Sequence, residues 1–151
     1  METWGAGSFE NVVAQLWLIK LVDGNDVDPL VKALEAVRNT ADDFSSADAC
    51  KAVAAAELVA YLNPDSNVSL PDEISDWFRK KKLRPTQDLV SLAREVLERV
   101  GAESSELRKH WALQPRGGKE WVRMIEELKV QLEYGAPRAL QGDKSWWRFW
   151  N

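Results

Sequence analysis

Apolar residues recur along the chain at three- and four-residue intervals, the period of an α-helix. Glycines, prolines and Asp/Asn clusters cut that pattern into seven segments. The first runs from about Glu10 to Val22 and ends at Asp23-Gly24-Asn25. Its apolar residues, Val12, Val13, Leu16, Trp17 and Ile19 among them, wrap most of the circumference, which predicts the central and most buried helix. The second starts with Asp28 as N-cap and Pro29 at the first helical position, and Leu30, Val31, Leu34 and Val37 supply its stripe. The third spans about Ser46 to Leu62, and the fourth opens at Pro71-Asp72-Glu73 and carries Ile74, Trp77 and Phe78. The fifth follows Thr86 and closes at Gly101, with Leu89, Leu92, Ala93, Val96, Leu97 and Val100 on one face. A short sixth covers about Ser104 to Trp111, and a seventh runs from Gly117-Gly118 to a stop at Gly135.

No segment alternates apolar and polar residues with the period of a strand. The expected fold is therefore all-α: a single-domain bundle of six to seven helices over residues 1–140, with a short extended piece allowed near Asn67 to Leu70. Residues 141–151 form a separate Trp-rich tail.

Composition narrows the class. The chain has 151 residues, 45% of them hydrophobic and 29% charged, which fits one globular domain and excludes disordered and collagen-like chains. A single cysteine, Cys50, excludes disulfide scaffolds and thiolate-rich zinc sites and fits a reducing, cytoplasmic setting. The most apolar stretch, Val12 to Val22, is about half the length that spans a bilayer, and neither a transmembrane segment nor a signal peptide is expected.

Little catalytic chemistry is on offer. Cys50 sits among Val53, Ala54, Leu58 and Tyr61 on an apolar helix face, where a thiol is inert. His110 is the lone histidine, so paired-histidine metal sites are impossible. Gly117-Gly118-Lys119 lacks the spacing and the hydroxyl residue of a phosphate loop. Asp23, Asp26 and Asp28 resemble a calcium loop only superficially, because Leu34 stands where the terminal bidentate Glu belongs. No metal and no cofactor is expected. Glu57 is the polar residue that stands out, seven residues after Cys50 and four before Tyr61 on the same apolar face. It is either an acid/base group or a structural carboxylate that accepts from the N–H groups of a turn.

The opening Thr3-Trp4-Gly5-Ala6-Gly7-Ser8-Phe9-Glu10-Asn11 places two glycines between aromatics. The glycines permit positive φ and close backbone approach, and Trp4 and Phe9 can fold back on the core as a packed helix start. This opening, with Trp17 in the next helix, resembles a bacterial family known as domain of unknown function 4259. Ala54-Ala55-Ala56-Glu57-Leu58-Val59-Ala60 and Leu70-Pro71 leading to Trp77 resemble the same family, over roughly Met1 to Arg99. Val12 and Val13 stand where members often carry acidic residues. The resemblance implies a small intracellular bacterial helical protein with no catalytic residues to assign. It also implies that Trp4, Gly5, Gly7, Phe9, Asn11 and Glu57 form one structural unit, with Glu57 accepting hydrogen bonds from the Trp4–Gly7 turn.

The net charge of −4 conceals an asymmetry. Residues 1–76 hold fourteen carboxylates against four Lys and Arg, a net of −10, and residues 77–151 hold ten against sixteen, a net of +6. Folding either cancels the two halves or leaves an acidic face of Asp23, Asp26, Asp28, Asp42, Asp43 and Asp48 that steers a basic protein partner. Trp146, Trp147 and Trp150 in the tail need a surface, internal or external. The expected function is a non-enzymatic protein-binding module of the immunity or antitoxin type, with a basic toxin or a second copy as partner. The alternatives are a small enzyme using Glu57, or a nucleic-acid binder through Arg79-Lys80-Lys81-Lys82-Leu83-Arg84, which a pI of about 5.1 disfavours.

Overall fold

The computed structural model describes residues 7–24, 26–40, 44–63, 70–81, 86–114 and 117–141, with backbone alone at 117 and 133–141. Within them lie α1 (Val12–Asp23), α2 (Asp28–Arg38), α3 (Ser46–Tyr61), α4 (Asp72–Lys81), α5 (Gln87–Gly101), α6 (Glu106–Ala112) and α7 (Gly117–Gln141). No strand occurs among the described residues, and the fold is an all-α bundle.

Side-chain caps set most of the starts. Asn11 Oδ1 accepts from Ala14 N at 2.8 Å to open α1. Ser45, Thr86 and Ser105 do the same for α3, α5 and α6. At α2 the cap moves one place from the expected Asp28 to Val27. Asp28 becomes the first helical residue, and its N–H donates to the Asp26 carboxylate at 2.9 Å. An acidic side chain at a helix start is favourable in either register, so the sequence signal alone does not fix the residue.

The centre of the bundle is α3 rather than α1. Ten of its sixteen residues are buried, including the run Ala52–Ala56, and it packs against α1, α2, α5, α6 and α7. Small side chains let neighbouring helices approach on several sides at once. In α1 only Ala14, Leu18 and Leu21 are buried, while Leu16 and Ile19 are 56% and 55% exposed. An apolar circumference thus marks a helix with one face in the core and another open to water.

The expected stop at Gly135 is also overridden, since α7 continues through it to Gln141. A glycine inside a helix costs about 1 kcal/mol, which is a preference and not a barrier. Leu128 and Leu132 are in the core, and Lys129 lies between Glu98 of α5 at 3.1 Å and Glu126 at 2.8 Å. Beside Glu98, Arg99 of α5 donates to the carbonyls of Val37 and Arg38 and lies over the Phe44 ring. No helix among the described residues is long and apolar enough to cross a membrane.

Candidate functional site

Two places concentrate unusual chemistry, and both are built around the start of α1. The first is Glu57. Gly7 and Glu10 make a tight turn: Glu10 N donates to Gly7 O at 3.1 Å and Gly7 N donates to Glu10 Oε1 at 2.9 Å. A Cβ on Gly7 would stand 2.7 Å from that carboxylate oxygen, so a side chain here would displace the Glu10 carboxylate from its hydrogen bond to Gly7 N. The turn brings the buried Ser8 hydroxyl to Glu57 on α3 and within 3.5 Å of Met124 Sδ of α7, the two acceptors available to its one proton. Burial pushes the Glu57 carboxyl above the ordinary carboxylate range, and the Ser8 hydrogen bond partly opposes this.

The cavity beside Ser8 is lined by Asn11, Cys50, Trp111, Trp121 and Met124 and measures about 10 Å³. That is the space of one water molecule, too little for an organic substrate. Burial pushes the Cys50 thiol up to about 11, so it is protonated at neutral pH. No group of three His, Cys, Asp or Glu residues able to hold a metal occurs among the described residues. This arrangement ties the turn before α1 to α3 and α7. Trp4 and Gly5, expected in the same unit, lie outside the described residues, whereas Gly7, Ser8 and Asn11 all border this cavity. Trp77 is placed elsewhere, edge-on to Phe78 at 4.9 Å with Lys81 over its ring at 5.6 Å.

The second place is a groove of about 310 Å³ between α1 and α4. Phe9, Leu18, Ile19, Val22, Leu70 and Ile74 form its apolar walls. Asp23 and Glu73 also line it, and both are exposed. Gln15 lines one side and donates to the Phe9 carbonyl at 2.7 Å, which holds Phe9 against α1. Leu16 and Ile19 extend apolar surface from the groove onto the open face of α1. Neither Asp23 nor Glu73 enters an ion pair among the described residues, whereas Arg38 pairs with Glu35, Arg79 with Asp76, and Lys129 with Glu126 on its own helix and Glu98 on α5.

Of the six aspartates expected on one acidic face, four are among the described residues. Asp23, Asp26 and Asp28 are exposed in one turn. Asp48 sits in the first turn of α3, the length of α2 away, about 16 Å at 1.5 Å per residue. Asp42 and Asp43 lie outside the described residues, as do Trp146, Trp147, Trp150, Lys82 and Arg84. Sequence reasoning missed Ser8, Ile19 and Glu73. The signal for Ile19 was present in the apolar circumference of α1, and Glu73 was legible only as a helix-start carboxylate.

The family model described as "Domain of unknown function (DUF4259)" matches residues 2–124, a span that contains the groove and Glu57. No curated protein and no solved structure matches the chain.

Proposed function

The chain belongs to that family, whose description assigns no activity, and from its own surfaces we propose that it is a non-enzymatic protein-binding module. The occupant of the α1–α4 groove is an apolar segment flanked by Lys or Arg on a partner protein. One observation carries this reading: Leu16 and Ile19 are more than half exposed beside an apolar groove whose rim holds Asp23 and Glu73. Apolar walls supply affinity through burial, and the carboxylates orient a cationic partner and speed its approach. Asp26 and Asp28 extend the same field along the turn into α2.

Small acidic proteins that mask a basic toxin use such a combination, so the finer reading is a bacterial immunity or antitoxin type acting in the cytoplasm, where a chain with a single cysteine is suited to reducing conditions. The test is capture of a partner from the native host by the purified chain and by Ile19→Asp, with thermal melts run alongside. Ile19 is 55% exposed, so the fold survives the change, and the captured protein falls at least about tenfold. Equal capture by both chains would remove the groove from the binding surface.

A further inference from the structure

We propose that a second copy of this chain packs on the open face of α1, antiparallel to it, in a weak two-fold dimer. Val12, Leu16, Ile19 and Asp23 follow one another at steps of four, three and four residues and form a single strip along the helix. The strip lies opposite Ala14, Leu18 and Leu21, which face the core, and at its middle Leu16 and Ile19 are more than half exposed. This spacing is that of the seam between paired helices, whereas an ordinary solvent face carries polar residues there. Leu16 does not line the α1–α4 groove, so the strip is a surface additional to the groove that meets it at Ile19 and Asp23.

Charge selects the occupant and its direction. Among the described residues α1 is the one helix with no carboxylate in its first turn; each of the other six carries Asp or Glu there. Glu10, just before α1, is turned back onto Gly7 N. The strip's own carboxylate, Asp23, stands at its far end, about 16 Å from Val12. In an antiparallel pair Leu16 faces Ile19 of the second copy, Ile19 faces its Leu16, and each Asp23 comes to the start of the other α1. A carboxylate is favourable at that positive helix end. A parallel pair would set the two Asp23 side chains in one layer, like charges together, and leave both helix starts without a counter-charge. Lys20 flanks the strip, where its stem covers Val13 of the second copy and its ammonium stays in water. An apolar strip that carries its own counter-charge at one end is self-complementary, which is what a two-fold interface requires.

The size of the contact sets its strength. With 12 residues α1 is about 18 Å long, and one face of it buries far less than the roughly 800 Å² per partner of a stable interface. The dimer is therefore of the transient class, populated at micromolar and not nanomolar concentration. Because Ile19 and Asp23 belong to both surfaces, a second copy on the strip and a partner in the groove exclude each other, and partner binding releases monomer by mass action.

Sedimentation equilibrium of the full chain from about 5 to about 500 µM reads the association. The weight-average mass is expected to climb from 17.1 kDa toward twice that value. Leu16→Lys alters a position open to water, keeps the fold, and raises the dissociation constant at least about tenfold. Asp23→Asn raises it about three- to tenfold at low salt, because two charge–dipole contacts are lost. A chain that stays monomeric throughout, a dimer indifferent to Leu16→Lys, or one strengthened by Asp23→Asn would overturn the proposal. Those outcomes are distinct from failure of the binding reading, which is signalled by Ile19→Asp leaving partner capture unchanged, whereas Leu16→Lys leaves the groove walls intact.

Discussion

Replacing Glu57 by Gln tests what holds the turn before α1 in place. The side chain lies on the apolar face of α3, where burial disfavours the ionised form and the Ser8 hydroxyl returns part of that cost. The folded carboxyl therefore titrates above its ordinary value of 4.5, and between that value and the folded one the native state holds a proton that the unfolded chain has released. Stability from this group is greatest below pH 4.5 and declines as pH rises through the folded value. At neutral pH the carboxylate is a net liability. Gln is nearly isosteric, keeps an oxygen to accept from Ser8 and carries no charge, so Glu57→Gln gains on the order of 1 kcal/mol at pH 7. In a domain of this size that is about 2–4 °C in Tm. Urea or thermal denaturation of both chains from pH 4 to 8 reads the effect: the curves meet at the acidic end and separate upward. A loss of stability at pH 7 in Glu57→Gln would refute the reasoning. It would mean that the ionised carboxylate is held by more donors than Ser8, in the manner that the family resemblance implies for the Trp4–Gly7 turn.

Arg99→Ala removes a guanidinium that closes the last carbonyls of α2 and stacks on Phe44, so it costs about 1.5–3 kcal/mol and lowers the urea midpoint without changing its slope. Gly118→Ala brings a Cβ to 3.0 Å from the Trp111 carbonyl oxygen and forces α6 and α7 apart, for a loss of about 1–3 kcal/mol in the same assay. Cys50, with its thiol pushed up to about 11 inside the bundle, reacts with a thiol-specific disulfide reagent at pH 8 at least tenfold more slowly in the native chain than in urea.

The fold class was legible because its signals are local. Ser45, Thr86 and Ser105 are hydroxyl caps, and the stripes of α2 and α5 repeat at helical spacing. What was not legible depended on which faces meet. The apolar residues of α1 outnumber those of a simple stripe, and periodicity alone cannot distinguish a helix buried on all sides from one with an open apolar face. The alanine run of α3 carries less hydrophobicity than α1 yet occupies the centre, because small side chains win where several helices must converge. The layout of the acidic residues likewise depends on helix placement: Asp48 is close to Asp43 in sequence, but α2 lies between it and Asp23 along the chain. Glu57 stood out correctly as a carboxylate on an apolar face, whereas its described partner, Ser8, lay inside a motif whose glycines and aromatics drew the reading elsewhere.

The motif before α1 and the groove beside it are parts of a single construction. Asn11 caps α1, Ser8 fastens the preceding turn to Glu57, and Gln15 holds the carbonyl of Phe9, whose ring is at once packed on the core and part of the groove wall. A helix secured this firmly at its first turn can leave Leu16 and Ile19 facing water, because its position does not depend on burying that face. Rigidity before binding lowers the ordering cost that a partner must overcome, so affinity can be high from a small contact. On the proposed reading, structural and binding roles for the motif are therefore not alternatives. Loosening the turn, as by Ser8→Ala, weakens occupancy of the groove even though Ser8 does not line it, and the loss appears in the affinity of the bound segment before it appears as a large change in Tm.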